Sequence, residues 1–362
     1  MFLYLLFLLL FTFSTLEVAG IKFRSVRNFY QYTYITFIIL FFIISSLRWE
    51  TGTDWSTYYD YFIYVKQHND IGWMEPLFGL LNKINAHYFC YQMQIMEIAA
   101  LSIIPIGFRY QKLSPYPLMT LFIWYCVIFA HIFPVRQTIA ISLVVFGWKY
   151  IELRQFKKYL MTCLIAILFH YSAIIAVPLY WLWHVQLSAK VISLLIICFA
   201  VLAVASTNTI SNILFAVGGS FFEEKLSTYM GDADNNFGMQ FTVREVLIRG
   251  IINRSIILFT ALFLLNDKRQ KDTRLNAIIN LYAFSFLLFI IITPLSVALG
   301  RLTIFTDMSQ ALLIPYIFTL KMNRFTLTIL LSILLIYFLY RFQGVINNYH
   351  DYYIPYKSFL SV

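Results

Sequence analysis

A small set of polar side chains beside apolar runs has the types and spacing to do chemistry. Arg136 and Gln137 come first, between the runs Pro117 to Phe133 and Thr138 to Trp148. A charge near a bilayer core costs roughly 2.5–3.5 kcal/mol on insertion scales, so such an arginine needs an anion or a wet cavity. The plain alternative is a side chain snorkelling to the outer headgroups. Arg48, Arg244 and Arg301 lie at span ends of the same kind. Their planar forks of donors match phosphate oxygens. Arg249 and Arg254 follow Arg244 at five-residue steps, which at about 100° per residue do not share one helix face, so Arg244 is preferred to the deeper two. His170, in Phe169-His170-Tyr171-Ser172, titrates near neutrality and suits an acid or a base. His131 competes for that role from the end of an apolar run.

Acids complete the set. In Arg48-Trp49-Glu50-Thr51-Gly52-Thr53-Asp54, Gly52 permits a tight turn and Asp54 suits the cap of a helix over Trp55–Val65. Glu75 precedes Pro76. Proline favours the first position of a helix and an acid favours its N-terminus. Glu75 is thus either a helix start or a group that accepts a proton or holds sugar hydroxyls. Asp307 is readable as half of a structural Arg–Asp pair, and Glu97 as a buried, hydrogen-bonded acid. No glycine-rich phosphate loop, His-Glu-x-x-His or Asp-x-Asp metal motif occurs, so nucleotide or zinc chemistry has no support.

The elements that must position these groups are membrane helices. Of 362 residues, 60% are hydrophobic and 12% charged, against about 25% charged in soluble proteins. The apolar runs approach the length of about 20 residues that crosses a bilayer. The expectation is an all-α, polytopic membrane protein with about 10–12 transmembrane helices, including a re-entrant pair, and a cavity facing the periplasm. The net charge of +10 fits lysine and arginine that set orientation and is weak evidence for nucleic acid. Four cysteines without a Cys-x-x-Cys pair make no zinc or disulfide framework. Met1 to Leu16 lacks a basic leader and a small-residue cleavage site, and reads as a first span rather than a signal peptide.

Orientation then follows the basic loops. Lys22, Arg24 and Arg27 put the first loop in the cytoplasm, and Lys149, Arg154, Lys157 and Lys158 do the same for a later one. Residues 1–362 read as one integral membrane domain with periplasmic loops at 48–87 and 206–244. Expected spans are Tyr32–Leu47, Tyr88–Phe108, Pro117–Phe133, Val135–Tyr150, Ala189–Ala205, Val246–Leu265, Leu275–Thr293, Arg301–Leu320 and Phe325–Phe342. Treating Tyr159–Trp183 as a full crossing would push the basic stretch Lys268 to Arg274 outward. The preferred repair is a re-entrant pair broken near Phe169–Ser172, since irregular backbone at that depth must line a buried or watery cavity. An extra crossing within Thr209–Phe222 is the other.

Taken together, Arg48…Gly52-Thr53-Asp54…Tyr58, Glu75-Pro76-x-Phe78, Arg136-Gln137-x-x-Ala140, Phe169-His170-x-Ser172 and Gly300-Arg301 resemble the EpsG-type family, polysaccharide polymerases of the Wzy type. Trp55 stands where tyrosine is commoner, and Leu77 where glycine is. The resemblance implies glycosyl transfer in the bacterial inner membrane, on the periplasmic side. Donor and acceptor would both be glycans on undecaprenyl diphosphate, with a separate chain-length regulator and with membrane lipids as surroundings. Arg136, Arg48 and Arg301, with Arg244 as a weaker member, would stabilise the diphosphate leaving group. Gln137, His131 and Tyr58 would line the substrate. His170 would deprotonate or position the acceptor hydroxyl, with Glu75 or Asp54 sharing the base role, and neither metal nor cofactor is called for. A flippase for the same lipid-linked unit and a membrane O-acyltransferase are the competing readings. A flippase should show repeat symmetry between its halves, and none is visible.

Overall fold

Helix boundaries in this chain follow the apolar runs, and proline or hydroxyl side chains account for the main departures. The computed structural model describes residues 2–21, 28–52, 54–128, 133–205, 242–294, 298–348 and 350–361. The basic loop of Lys22, Arg24 and Arg27, the histidine at 131 and loop residues 206–241, with the possible crossing Thr209–Phe222, lie outside them. Two compact units are formed, Met1–Val177 with Phe318–Val362, and Pro178–Ile317.

The first unit holds α1 (Phe2–Val18), α2 (Phe29–Ser46), α3 (Trp55–His68), α4 (Pro76–Tyr88), α5 (Tyr91–Leu113), α6 (Pro117–Val127), α7 (Arg136–Glu152) and α8 (Phe156–Phe169). Pro76 opens α4 at its first helical position, where a missing N–H costs nothing. The expected span Pro117–Phe133 is shorter than anticipated, because α6 ends at Val127. Residues 129–132 of that expected span lie outside the described residues. The anticipated break near residue 170 is present. Helix α8 stops at Phe169, His170 is extended (φ −159°, ψ 116°), and a 3-10 helix runs over Tyr171–Ala176. The Tyr159 hydroxyl donates to the Ala176 carbonyl at 2.7 Å, which ties the 3-10 segment to α8. Glu97 accepts from Asn85 Nδ2 at 2.6 Å, hydrogen-bonded as expected but half-buried rather than buried.

The second unit holds α9 (Leu179–His184), α10 (Ala189–Ala205), α11 (Val243–Leu264), α12 (Asn266–Lys271), α13 (Thr273–Ile292), α14 (Ile304–Asp307) and α15 (Gln310–Ile317). The single span expected over Arg301–Leu320 is instead a 3-10 helix, Ala298–Thr303, followed by the short α14 and α15. Thr303, Thr306 and Ser309 each return their hydroxyl to the carbonyl three residues back. Pro315 removes a further backbone donor. Such local bonds compete with the regular helix. The chain returns to the first unit with α16 (Arg324–Asn348) and α17 (His350–Tyr353).

Among the described residues, α2, α5, α11, α13 and α16 are long and apolar enough to cross a membrane, and α1, α6 and α10 are shorter apolar helices. Outward faces are apolar too: Leu194, Ile197 and Val201 on α10 and Ile329, Ile333 and Ile336 on α16 are exposed. In water such stripes would be a liability; against lipid they are the ordinary surface. The protein is an all-α polytopic membrane protein.

Asp307 anchors the second unit. It accepts from Arg254 Nη2 at 2.6 Å, Ser285 Oγ at 2.6 Å and Thr303 Oγ1 at 2.9 Å, which is the structural pair anticipated for it. Asp307→Ala would leave the Arg254 guanidinium, only 17% exposed, without its anion. Breaking a buried pair by removing one member costs about 3–5 kcal/mol. The expected result is a marked fall in thermal stability and membrane abundance, with partial recovery in Asp307→Asn. Wild-type melting of the alanine variant would contradict it.

Candidate functional site

Three segments far apart in sequence meet at one end of the first unit. Glu75 occupies the N-cap position of α4 without a capping bond. Its carboxylate turns instead to the first residue of α7, where Arg136 Nη1 donates to Glu75 Oε2 at 2.6 Å. The other oxygen, Oε1, accepts the backbone N–H of Tyr171 at 3.4 Å. One carboxylate thus joins the start of α7 to the break after α8. Tyr58 of α3 completes the corner, its ring centroid 6.0 Å from the Arg136 guanidinium carbon. Phe78, Ile139 and Phe169 pack into the same core cluster as Tyr58. The opposite end of α7 carries the Arg109–Glu152 ion pair and Lys149.

At the break, His170 Nδ1 accepts from the backbone N–H of Ser172 at 3.3 Å, and Ser172 Oγ lies 2.5 Å from the same nitrogen. A backbone N–H can only donate, so the neutral tautomer that accepts it at Nδ1 carries its ring proton on Nε2. In that tautomer His170 offers a donor at Nε2.

Arg48 is held in the turn after α2. It is 3% exposed, and its Nη2 donates to the Pro134 carbonyl at 2.6 Å, two residues from Arg136. Gly52 has φ +106°, and a Cβ there would come within 3.3 Å of Arg48 Nη1, so glycine meets both the turn and the close approach. The C-terminal segment closes over this turn. Trp49 and Gly52 donate backbone N–H groups to the Lys357 and Tyr352 carbonyls, each at 2.9 Å. Lys357 pairs with Glu50 at 2.7 Å, and Tyr353 stacks on Phe133 at 5.2 Å.

Burial sets the electrostatics. It pushes the Tyr58 hydroxyl up to about 12, against the opposing pull of Arg136, so the phenol stays protonated and acts as a donor. Tyr61 is pushed to about 12 for the same reason. Burial lowers Arg48, while Tyr91, Tyr353 and Asp54 act in the other direction. Glu75 is 4% exposed and fully engaged. Asp54 stands at the N-cap of α3, yet its side chain makes no capping bond, contrary to the expectation that it caps that helix. It lies close enough to Arg48 and Tyr58 to act on both electrostatically.

Of the residues singled out in the sequence, Tyr58, Glu75, Arg136 and His170 are therefore gathered at this corner. Arg48 and Asp54 form its flank, and Gln137 follows Arg136 in the first turn of α7, half-buried. Arg244, exposed in the first turn of α11, and Arg301, exposed in the 3-10 helix, belong to the second unit. Sequence reading missed the Tyr171 amide, the sulfur of Met74 against Arg136 and the C-terminal clasp. A backbone donor leaves no trace in residue type, and Glu50 and Lys357 are too far apart in the chain for any local pattern. Among the described residues, no group of three or more His, Cys, Asp or Glu is arranged to hold a metal ion.

A family model described as the EpsG family matches residues 31–358. The chain belongs to the EpsG family. The match takes in both units, including Gly300-Arg301, and this EpsG-family chain is accordingly a polysaccharide polymerase-like membrane protein. No curated protein and no solved structure matches it. Within the EpsG-family chain, Glu75 of Glu75-Pro76 and Arg136 of Arg136-Gln137 form the ion pair, and Phe169-His170-x-Ser172 is the break.

Proposed function

We propose that this chain polymerises oligosaccharide repeat units carried on undecaprenyl diphosphate, at the periplasmic face of the bacterial inner membrane. The observation that carries the reading is the Glu75–Arg136 pair at the α8 break, with Tyr58 and His170 beside it. The acceptor sugar's hydroxyl oxygen forms a bond to the donor's anomeric carbon, and the bond from that carbon to the diphosphate breaks. The hydroxyl proton must go to a base, and the diphosphate leaves with the bonding electrons. Glu75 fixes one edge of Arg136, whose side chain stays 26% exposed. Preorganised donors aimed at a developing anion accelerate its departure. The Tyr58 hydroxyl and the His170 Nε2 proton add donors to the same region. Asp54 takes the hydroxyl proton, because both oxygens of Glu75 are already engaged.

Orientation supports the outer face. Helix α7 runs from Arg136 at the site to Glu152 at the far end, and the far end carries Lys149, with Arg154, Lys157 and Lys158 just beyond. Basic loops stay in the cytoplasm, which leaves the site on the other side.

Electrophoresis of surface polysaccharide from a deletion strain tests the reading. The expected pattern is lipid core bearing one repeat unit and no ladder. A deletion strain with no repeat unit at all points to a flippase, and an intact ladder to an acyltransferase. Either pattern displaces the proposal.

A further inference from the structure

A second polar feature lies inside the second unit. Residues Gln186–Lys190, leading into α10, and Asn266, Arg269 and Gln270 of α12 line a half-open cavity of about 480 Å³. Asn276 and Asn280 of α13 hold the first of these segments by donating to the Val185 carbonyl at 2.9 and 2.6 Å. The cavity wall includes Lys190 and Arg269 but no carboxylate.

Arg269 is the unusual member. It is 4% exposed, its Nη2 donates to the Leu187 carbonyl, and its Nη1 has no hydrogen-bond partner. No acid among the described residues pairs with it, and burial lowers its pKa. A buried cation without an anion is costly. Beside it is the N-terminus of α10, 17 residues long. The Ser188 hydroxyl satisfies the Val191 N–H at 3.3 Å. The N–H groups of Ala189 and Lys190 precede the first intrahelical carbonyl they could bond. Helix N-termini attract phosphate and carboxylate. The stretch Asn266–Arg274 carries Lys268, Arg269, Lys271 and Arg274 against Asp267 and Asp272, a net positive balance that favours anions.

We infer that this cavity is a binding site for a phosphate group, held by Arg269, Lys190 and the first turn of α10, and separate from the Arg136 corner. The same chemistry fits an anionic phospholipid headgroup or free inorganic phosphate. No part of this inference depends on the polymerase reading.

Thermal unfolding of the purified full-length chain in neutral detergent tests it, with Lys190→Gln and Arg269→Gln alongside wild type. The probes are inorganic phosphate, phosphatidylglycerol and, as a net-neutral control, phosphatidylcholine. Ligand that binds only the folded chain raises its melting temperature in proportion to occupancy. Phosphatidylglycerol should stabilise wild type saturably and phosphatidylcholine should not. Loss of one charge-assisted contact should raise the half-saturating concentration roughly tenfold. Arg269→Gln removes a packed contact to Leu187, so Lys190→Gln, an exposed position, provides the test free of folding effects. Stabilisation by inorganic phosphate as well identifies free phosphate as sufficient; stabilisation by phosphatidylglycerol alone identifies the lipid headgroup. No stabilisation by either probe, or the same half-saturation in wild type and Lys190→Gln, overturns the site.

Discussion

Arg136→Ala should reduce the polysaccharide ladder to a single repeat unit, with polymerisation slowed by about 10²-fold or more, the usual effect of removing one preorganised donor to a developing anion. The single variant has a second consequence. Glu75 is only 6% exposed at its side chain and would lose its cation. Breaking such a pair from one side costs about 3–5 kcal/mol when both members are buried, and less here because Arg136 is 26% exposed. Loss of ladder in Arg136→Ala alone would therefore mix lost chemistry with lost protein. The double variant Arg136→Ala with Glu75→Gln separates them, since a neutral amide keeps the Tyr171 contact and carries no stranded charge. Membrane abundance should return toward wild type in the double variant while the ladder stays absent. A ladder restored along with abundance would make the pair a structural tie and remove Arg136 from the reaction.

His170 and Asp54 should respond differently to replacement, because the proposed reaction gives them different proton roles. With Nδ1 of the neutral His170 ring accepting the Ser172 N–H, Nε2 carries the proton and can donate. Glutamine at 170 retains an N–H donor. His170→Gln should keep a substantial fraction of the wild-type rate, whereas His170→Ala should fall by roughly 10²-fold, near the lower bound for a positioned acid–base group. Asp54→Asn keeps shape and loses the capacity to take a proton, and should fall by about 10²–10⁴-fold. Initial rates on lipid-linked repeat units with purified variants measure all three. Equal losses in His170→Gln and His170→Ala, with Asp54→Asn active, would reverse the assignment and make the imidazole the base.

Much of the architecture was legible in the residue order, because lipid imposes a simple rule. A run of apolar side chains must form a helix to satisfy its backbone, whatever its neighbours are. That is why α2, α5, α10, α11 and α13 begin and end close to the apolar runs. Pro76 was readable for a local reason, since proline suits a first helical position, whereas the stop at Phe169 followed from the sidedness of the basic loops. The early ends of α6 and the fragmentation after Gly300 were not read, although Pro134 and the Thr303, Thr306 and Ser309 hydroxyls were in view. Those residues permit a regular helix or a broken one, and packing makes the choice.

By itself, then, the sequence determined that the chain lives among lipids, that it carries costly cations at helix ends, and which histidine marks a broken helix. Which cation meets which anion was decided only by the tertiary structure. Arg136 and Glu75 lie far apart in the chain, and either had a sufficient local explanation, as a snorkelling side chain or a helix start. Arg254 was set aside on helix-face grounds, yet it holds Asp307. The reason is physical: a charge's cost is set by its immediate neighbours in space, and periodicity along one helix says nothing about the side chains that another helix brings to it.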